Sequence, residues 1–157
     1  MIYINDIYLL SQKFISDYPL TKYPELMYKP NRPYTCLLID THEDYLICIP
    51  FRSSITHINS YLFKHSKRSK QTRSGLDYSK VVLIQNNEYI DSKRAIIDQD
   101  EYKETIQNLN WIVKEIVDYI DTHTNHVSKI KKIHNKKFER MYKYSTLPYF
   151  HDILKIK

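Results

Sequence analysis

The stretch YTCLLIDTHEDYLICIP, residues 34–50, decides how this chain folds. Its two ends, 34–40 and 44–49, are dense in apolar and aromatic residues, and Thr41-His42-Glu43 between them is short and polar. Two such runs joined by a tight polar turn predict an antiparallel hairpin. Pro50 has no N–H to give to a ladder and is expected to close the second strand. Phe51-Arg52-Ser53-Ser54-Ile55-Thr56-His57 then leads away from the strand end as a loop.

Upstream, residues 2–10 read as a strand rich in Ile and Tyr. Ser11 is placed to cap a short helix that runs to about Tyr18 and is ended by Pro19. Residues 20–33, with Pro24, Pro30 and Pro33, predict a loop. Downstream, residues 64–73 carry Lys64, Lys67, Arg68, Lys70 and Arg73 with no acid and no hydrophobic period, which predicts a mobile loop. KVVLIQ (80–85) predicts a strand, Asn86-Asn87 a turn, and 88–91 a further strand. Asp98 and Glu101 have capping-box spacing. Tyr102, Ile106, Leu109, Val113, Ile116 and Ile120 follow at alternating steps of four and three, so one long helix with a single apolar stripe is expected. Residues 129–143 are again basic, and YSTLPYF (144–150) ends the domain as an apolar, aromatic segment. No internal repeat divides it, so residues 1–157 are expected to form one domain.

Composition narrows the function. At 157 residues and 42% hydrophobic, the chain has enough apolar material for a real core. A net charge of +6 favours polyanionic partners, because Lys and Arg release counterions from phosphates. Fifteen tyrosines supply rings suited to core edges and to contact with bases. No basic, apolar leader opens the chain and no apolar run reaches membrane length, so a cytoplasmic protein is expected. Cys36 and Cys48 lie in strand-like runs without metal-ligand spacing and read as buried small hydrophobes.

A chain with one glycine has no Walker loop and no dinucleotide fingerprint. His123, His126 and His134 lack matched carboxylates and read as the solvated end of a helix, so neither metal nor cofactor is expected. What remains is a set of basic and hydroxyl groups, Arg52, Ser53, Thr56 and His57, on a loop fixed by a strand. RNA brings its own nucleophile, the 2′-OH. A protein need only align it, move its proton and offset the charge on the phosphate. The same residues also read as surface groups after a strand, and spacing alone leaves both readings open.

Several segments, in order, resemble the toxins of type III toxin–antitoxin systems, the ToxN/AbiQ superfamily, and within it the TenpN and CptN branches. They are IYLLSQKF (7–14), NRPYTCLLID (31–40), DYLICIPFRSSITH (44–57), SGLDYSKVVLI (74–84), EYID (88–91) and KYSTLPYF (143–150). The resemblance implies an α+β fold: a compact antiparallel sheet, MazF/Kid-like and partly barrel-shaped, flanked by helices. It also implies a metal-independent endoribonuclease that leaves a 2′,3′-cyclic phosphate and a 5′-hydroxyl. The implied partners are target RNA and a pseudoknotted repeat RNA that silences the toxin in a protein–RNA hetero-oligomer. Arg32, Ser53 and Lys80 fall on family positions, and the hydroxyl of Ser53 is the firmest match. Where the ToxN branch has a lysine this chain has Ile55, which makes His57 the expected proton carrier. Phe14 replaces a family tyrosine and is not expected to be catalytic. Arg52, Ser53, His57 and Lys80 are thus expected to share one small pocket. Lys64, Lys67, Arg68, Lys70, Arg73, Tyr78, Lys129, Lys131, Lys132, Lys136, Lys137 and Arg140 are expected to hold RNA. The competing expectation is a non-catalytic RNA-binding module. A DNA reader is disfavoured by the lack of a basic recognition helix.

Overall fold

The computed structural model describes residues 5–29 and 31–156, so the expected strand positions 2–4 and Pro30 lie outside the described residues. The hairpin forms, as β2 (Thr35–Ile39) and β3 (Leu46–Arg52), with Leu37 opposite Ile49 and Leu38 opposite Cys48. Asp40 starts its turn: the carboxylate accepts the backbone N–H of His42 at 2.8 Å, and His42 takes a left-handed φ of 67°. β1 (Asp6–Leu10) pairs with β2 on the other side, and Cys36 to Ile39 are buried on both faces of the sheet.

Pro50 does not end its strand. β3 runs on to Arg52 and changes partner on the way. Leu46 to Cys48 pair with β6 (Val82–Ile84), whereas Phe51 and Arg52 pair with β5 (Gly75–Asp77). Pro50 sits between the two ladders on that edge, where a missing donor costs least. β4 (Ser60–Leu62) extends β5, and β7 (Ile90–Arg94) flanks β1, one turn later than the expected 88–91 strand. The result is a seven-stranded antiparallel sheet in the order β4-β5-β3-β2-β1-β7, with β6 also on β3. The two end strands, β4 and β7, do not pair, so the expected partial barrel is an open sheet. Three residues of β4 offer too short a ladder for closure.

Ser11 caps α1 (Gln12–Asp17) through the backbone N–H of Phe14, as its position predicts. The expected long helix is two: α2 (Gln99–Gln107) and α3 (Leu109–Val127), broken at Asn108, whose side chain donates to the Glu104 carbonyl. The apolar stripe holds only in α3, which buries Ile112, Ile116 and Ile120. In α2, Ile106 is exposed and Glu101, Glu104 and Thr105 are buried. The reason is the basic segment 64–73. Glu104 accepts the backbone N–H groups of Lys64 and His65 and the hydroxyl of Tyr61, while Glu101 holds Ser66 and Arg68. The segment is therefore fastened to α2 rather than a free loop.

After α3, a turn leads to α4 (Asn135–Tyr142), which packs Phe138 and Tyr142 inward. Of the histidines expected to be solvated, only His134 is exposed. His123 is buried against Phe138 and His151, His126 stacks on Phe138 at 4.0 Å, and His134 caps α4. Cys36 and Cys48 are buried free thiols, as expected. One hydrophobic cluster reaches from Ile7 to Phe150. Among the described residues no helix is long and apolar enough to cross a membrane.

Candidate nucleic-acid cleft

A cavity of about 780 Å³ opens where β2 begins and β3 ends. Antiparallel pairing forces those two ends together, so Arg32, Pro33 and Tyr34 before β2 meet Pro50, Phe51 and Arg52 of β3, followed by Ser53 and Ser54. Met27, Tyr28 and Lys29 form one lip. Ile96, Ile97 and the start of α2 form another, together with Arg68 from the basic segment. The expected candidates Arg32, Arg52 and Ser53 therefore do converge, and Arg68 and Lys29 join them. Two lining residues, Met27 and Ser54, adopt left-handed φ values of 53° and 56° without being glycine. Such conformations cost of order 1 kcal/mol each and are held only by surrounding structure. Here Ile55 is buried, its N–H donates to the Arg73 carbonyl at 2.8 Å, and Arg73 Nε donates to the Ile55 carbonyl at 2.7 Å. Arg73 thus fixes the Ser53–Ser54 turn from behind.

Arg52 is oriented by a residue that pattern reading passed over. Arg52 Nη1 donates to Asp77 Oδ2 at 3.2 Å, and Asp77 is almost wholly buried. The same carboxylate accepts the Ser79 backbone N–H at 3.0 Å and hydroxyl at 2.6 Å, and His57 Nε2 lies 3.2 Å from Oδ1. Burial pushes the Asp77 carboxyl upward, but hydrogen bonds from His57 and Ser79 and the charges of His57 and Arg52 outweigh it, and the group falls below the usual carboxylate range. The spacing Asp-x-Ser, an Asx turn in the making, was the available signal for Asp77.

His57 is not where the proton-carrier expectation needs it. Its Nδ1 accepts the Asn59 backbone N–H at 3.1 Å, so Nδ1 is unprotonated and Nε2–H faces Asp77 and the Ser79 hydroxyl. Both nitrogens are committed and the ring does not line the cleft. Lys80 departs further. It belongs to a 3₁₀ turn (Tyr78–Lys80) rather than to the strand it was expected to open, and it is 4% exposed. Its Nζ donates to Glu25 Oε1 at 2.8 Å and to the Tyr144 carbonyl at 2.7 Å, tying the C-terminal segment to the sheet. Tyr78, expected to hold RNA, is buried. Its hydroxyl donates to Glu115, and burial together with that contact drives the phenol far above its usual range.

Tyr34 supplies what the pattern also missed. It is 6% exposed, lines the cleft, packs edge-on to Phe14, and holds a buried hydroxyl with no hydrogen-bond partner among the described residues. Burial raises its phenol well above the usual range, against a lowering pull from Arg52.

The remaining basic candidates divide. Lys64, Lys67 and Lys70 are exposed beside the cleft's Arg68, whose guanidinium forks onto Glu101 at 2.8 and 3.2 Å. Lys129, Lys131, Lys132, Lys136, Lys137 and Arg140 are all exposed along the turn before α4 and its outer face. None of these six lines the cleft. No family model matches the chain, and neither a curated protein nor a solved structure does.

Proposed function

We propose that the protein is an endoribonuclease toxin of the type III kind, cutting RNA without a metal through attack of the 2′-OH. The products are then a 2′,3′-cyclic phosphate and a 5′-hydroxyl. One observation carries this reading: Arg32, Arg52, Arg68 and Lys29 line the same cleft of about 780 Å³ as Ser53. A phosphate entering it meets guanidiniums suited to bidentate contact and to the charge that builds on the phosphorane. Ser53 orients the scissile phosphate beside them. Tyr28, Phe51, Met27 and Ile96 give the lips ring faces and apolar edges for unpaired bases, which favours single strands. The ordered resemblance across residues 7–150 supports the same reading. It points to a pseudoknotted repeat RNA as the silencing partner, held in a protein–RNA hetero-oligomer in the cytoplasm, with the outer basic face of α4 gripping its phosphates.

A second reading, a non-catalytic RNA-binding module, is favoured by one observation: neither His57 nor Lys80 lines the cleft. The deciding experiment uses protein stripped of bound RNA and incubated with single-stranded RNA in EDTA. Cleavage is expected, with cyclic-phosphate ends by mass spectrometry, and Arg52→Ala and Ser53→Ala should each slow it about a hundredfold. Tight binding with no cutting would leave the binding module standing, and cutting abolished by EDTA would rule out the metal-free mechanism.

A further inference from the structure

The geometry points to Asp77 as a positioning residue: it aims the Arg52 guanidinium into the cleft, and His57 serves Asp77 rather than the substrate. The inference rests on the reading of the cleft as an RNA-cutting site. Arg52 is partly exposed and lines the cleft, and its one side-chain hydrogen bond among the described residues goes to Asp77 Oδ2. A guanidinium has five N–H donors in a rigid plane. Fixing Nη1 therefore fixes the direction of the rest, which remain for a phosphate. Asp77 is itself immobilised. It is 1% exposed, its Oδ1 takes the Ser79 N–H and hydroxyl, and His57 Nε2 closes on that same oxygen. His57 is held in turn by the Asn59 N–H at Nδ1. The chain of contacts runs Asn59, His57, Asp77, Arg52, and ends at the cleft. Its far end has no open nitrogen with which to take a proton from RNA.

A carboxylate beside an arginine also tempers it. Asp77 withdraws part of the Arg52 charge from a resting ligand, and its larger effect is on alignment, which matters most in the transition state.

The test is a double-mutant cycle on cleavage of a short single-stranded RNA, joined to NMR of the Arg52 side chain. Asp77→Asn keeps the shape and removes the charge. It should lower the rate about 10- to 100-fold, the scale expected of a misaimed group. In an Arg52→Ala background the same change should cost less than about threefold, because there is nothing left to aim. The ¹⁵Nε–Hε signal of Arg52, dispersed in the wild type, should collapse toward the mobile arginines in Asp77→Asn. Should Asp77→Asn fail to fold, Ser79→Ala, which takes the hydroxyl from Oδ1 and leaves the Ser79 N–H and His57 there, carries the same two readouts with a smaller effect. Equal costs in both backgrounds, or an Arg52 signal that does not move, overturn the inference while wild-type cutting leaves the cleft reading intact. A wild type that cuts no RNA overturns that reading, and this inference with it.

Discussion

Tyr34 carries a buried hydroxyl with no hydrogen-bond partner among the described residues. Burying an O–H without a partner costs roughly 1–2 kcal/mol, and here the O–H belongs to a residue lining the cleft and feels the charge of Arg52. Tyr34→Phe removes that cost and keeps the ring against Phe14. The variant should melt at the same temperature as the wild type or a few degrees higher, while its affinity for single-stranded RNA falls several-fold. A lower melting temperature with unchanged affinity would mean that the hydroxyl is satisfied internally and plays no part in binding. At this scale the sequence was legible where chemistry and position coincide. Arg32, Arg52 and Ser53 flank strand ends, and antiparallel pairing brings strand ends together. His57 was expected for its chemistry and Lys80 for its place in the resemblance. Nothing in the local pattern announces that Asn59 and Asp77 occupy both imidazole nitrogens, or that Glu25, 55 residues away, claims the Lys80 amine.

Among the elements, β5 is held in place by the chain's one glycine. A Cβ at Gly75 would lie 2.0 Å from the Tyr61 carbonyl oxygen and 2.9 Å from its carbon, inside the ladder between β4 and β5. Both atoms are backbone, so no side chain can swing aside. β5 also carries Asp77 and pairs with Phe51 and Arg52, which line the cleft, hence displacing it disturbs that part of the cleft. Gly75→Ala should cost about 3 kcal/mol or more, read as a fall in the denaturant midpoint or as insoluble protein. A variant within about 0.5 kcal/mol of wild type would show that β4 moves away freely. The hairpin β2–β3 and the Ser11-capped helix were readable because each presents a full period and its own stop signal. β4 and β5 were not, since three residues carry no alternation. Nor was the break at Asn108. The spacing of apolar residues in α2 and α3 suits one continuous helix, and only the demand of segment 64–73 for acceptors reveals why Glu101 and Glu104 point inward.

Over the whole molecule, acidity should loosen the contact between α3 and the C-terminal turn. His123 of α3 and His151 of the C-terminal turn face each other with Nε2 atoms 2.9 Å apart. At that distance one ring must donate and the other accept, so the pair shares a single proton between the two nitrogens. Protonating both would set two donors and two charges against each other inside a site walled by Phe138 and Tyr142. Burial chiefly, with the neighbouring His151 and His126, lowers His123 from 6.5 to about 4. Burial lowers His151 too, with Asp152 pulling the other way. Between those pH values the unfolded chain binds a proton at His123 that the folded chain refuses, hence stability rises with pH across the window. It is complete above about pH 6.5 and is lost as pH falls toward 4, by roughly 3 kcal/mol at most on the usual conversion of a pKa shift. Denaturation of the wild type and of His123→Phe should then diverge. The variant, with a ring of similar size and no charge to take up, should lose less between pH 6.5 and pH 4, and the two curves should run parallel above pH 7. Parallel curves through the whole range would mean that His123 and His151 part without cost and hold no proton-sensitive contact between α3 and the chain's end.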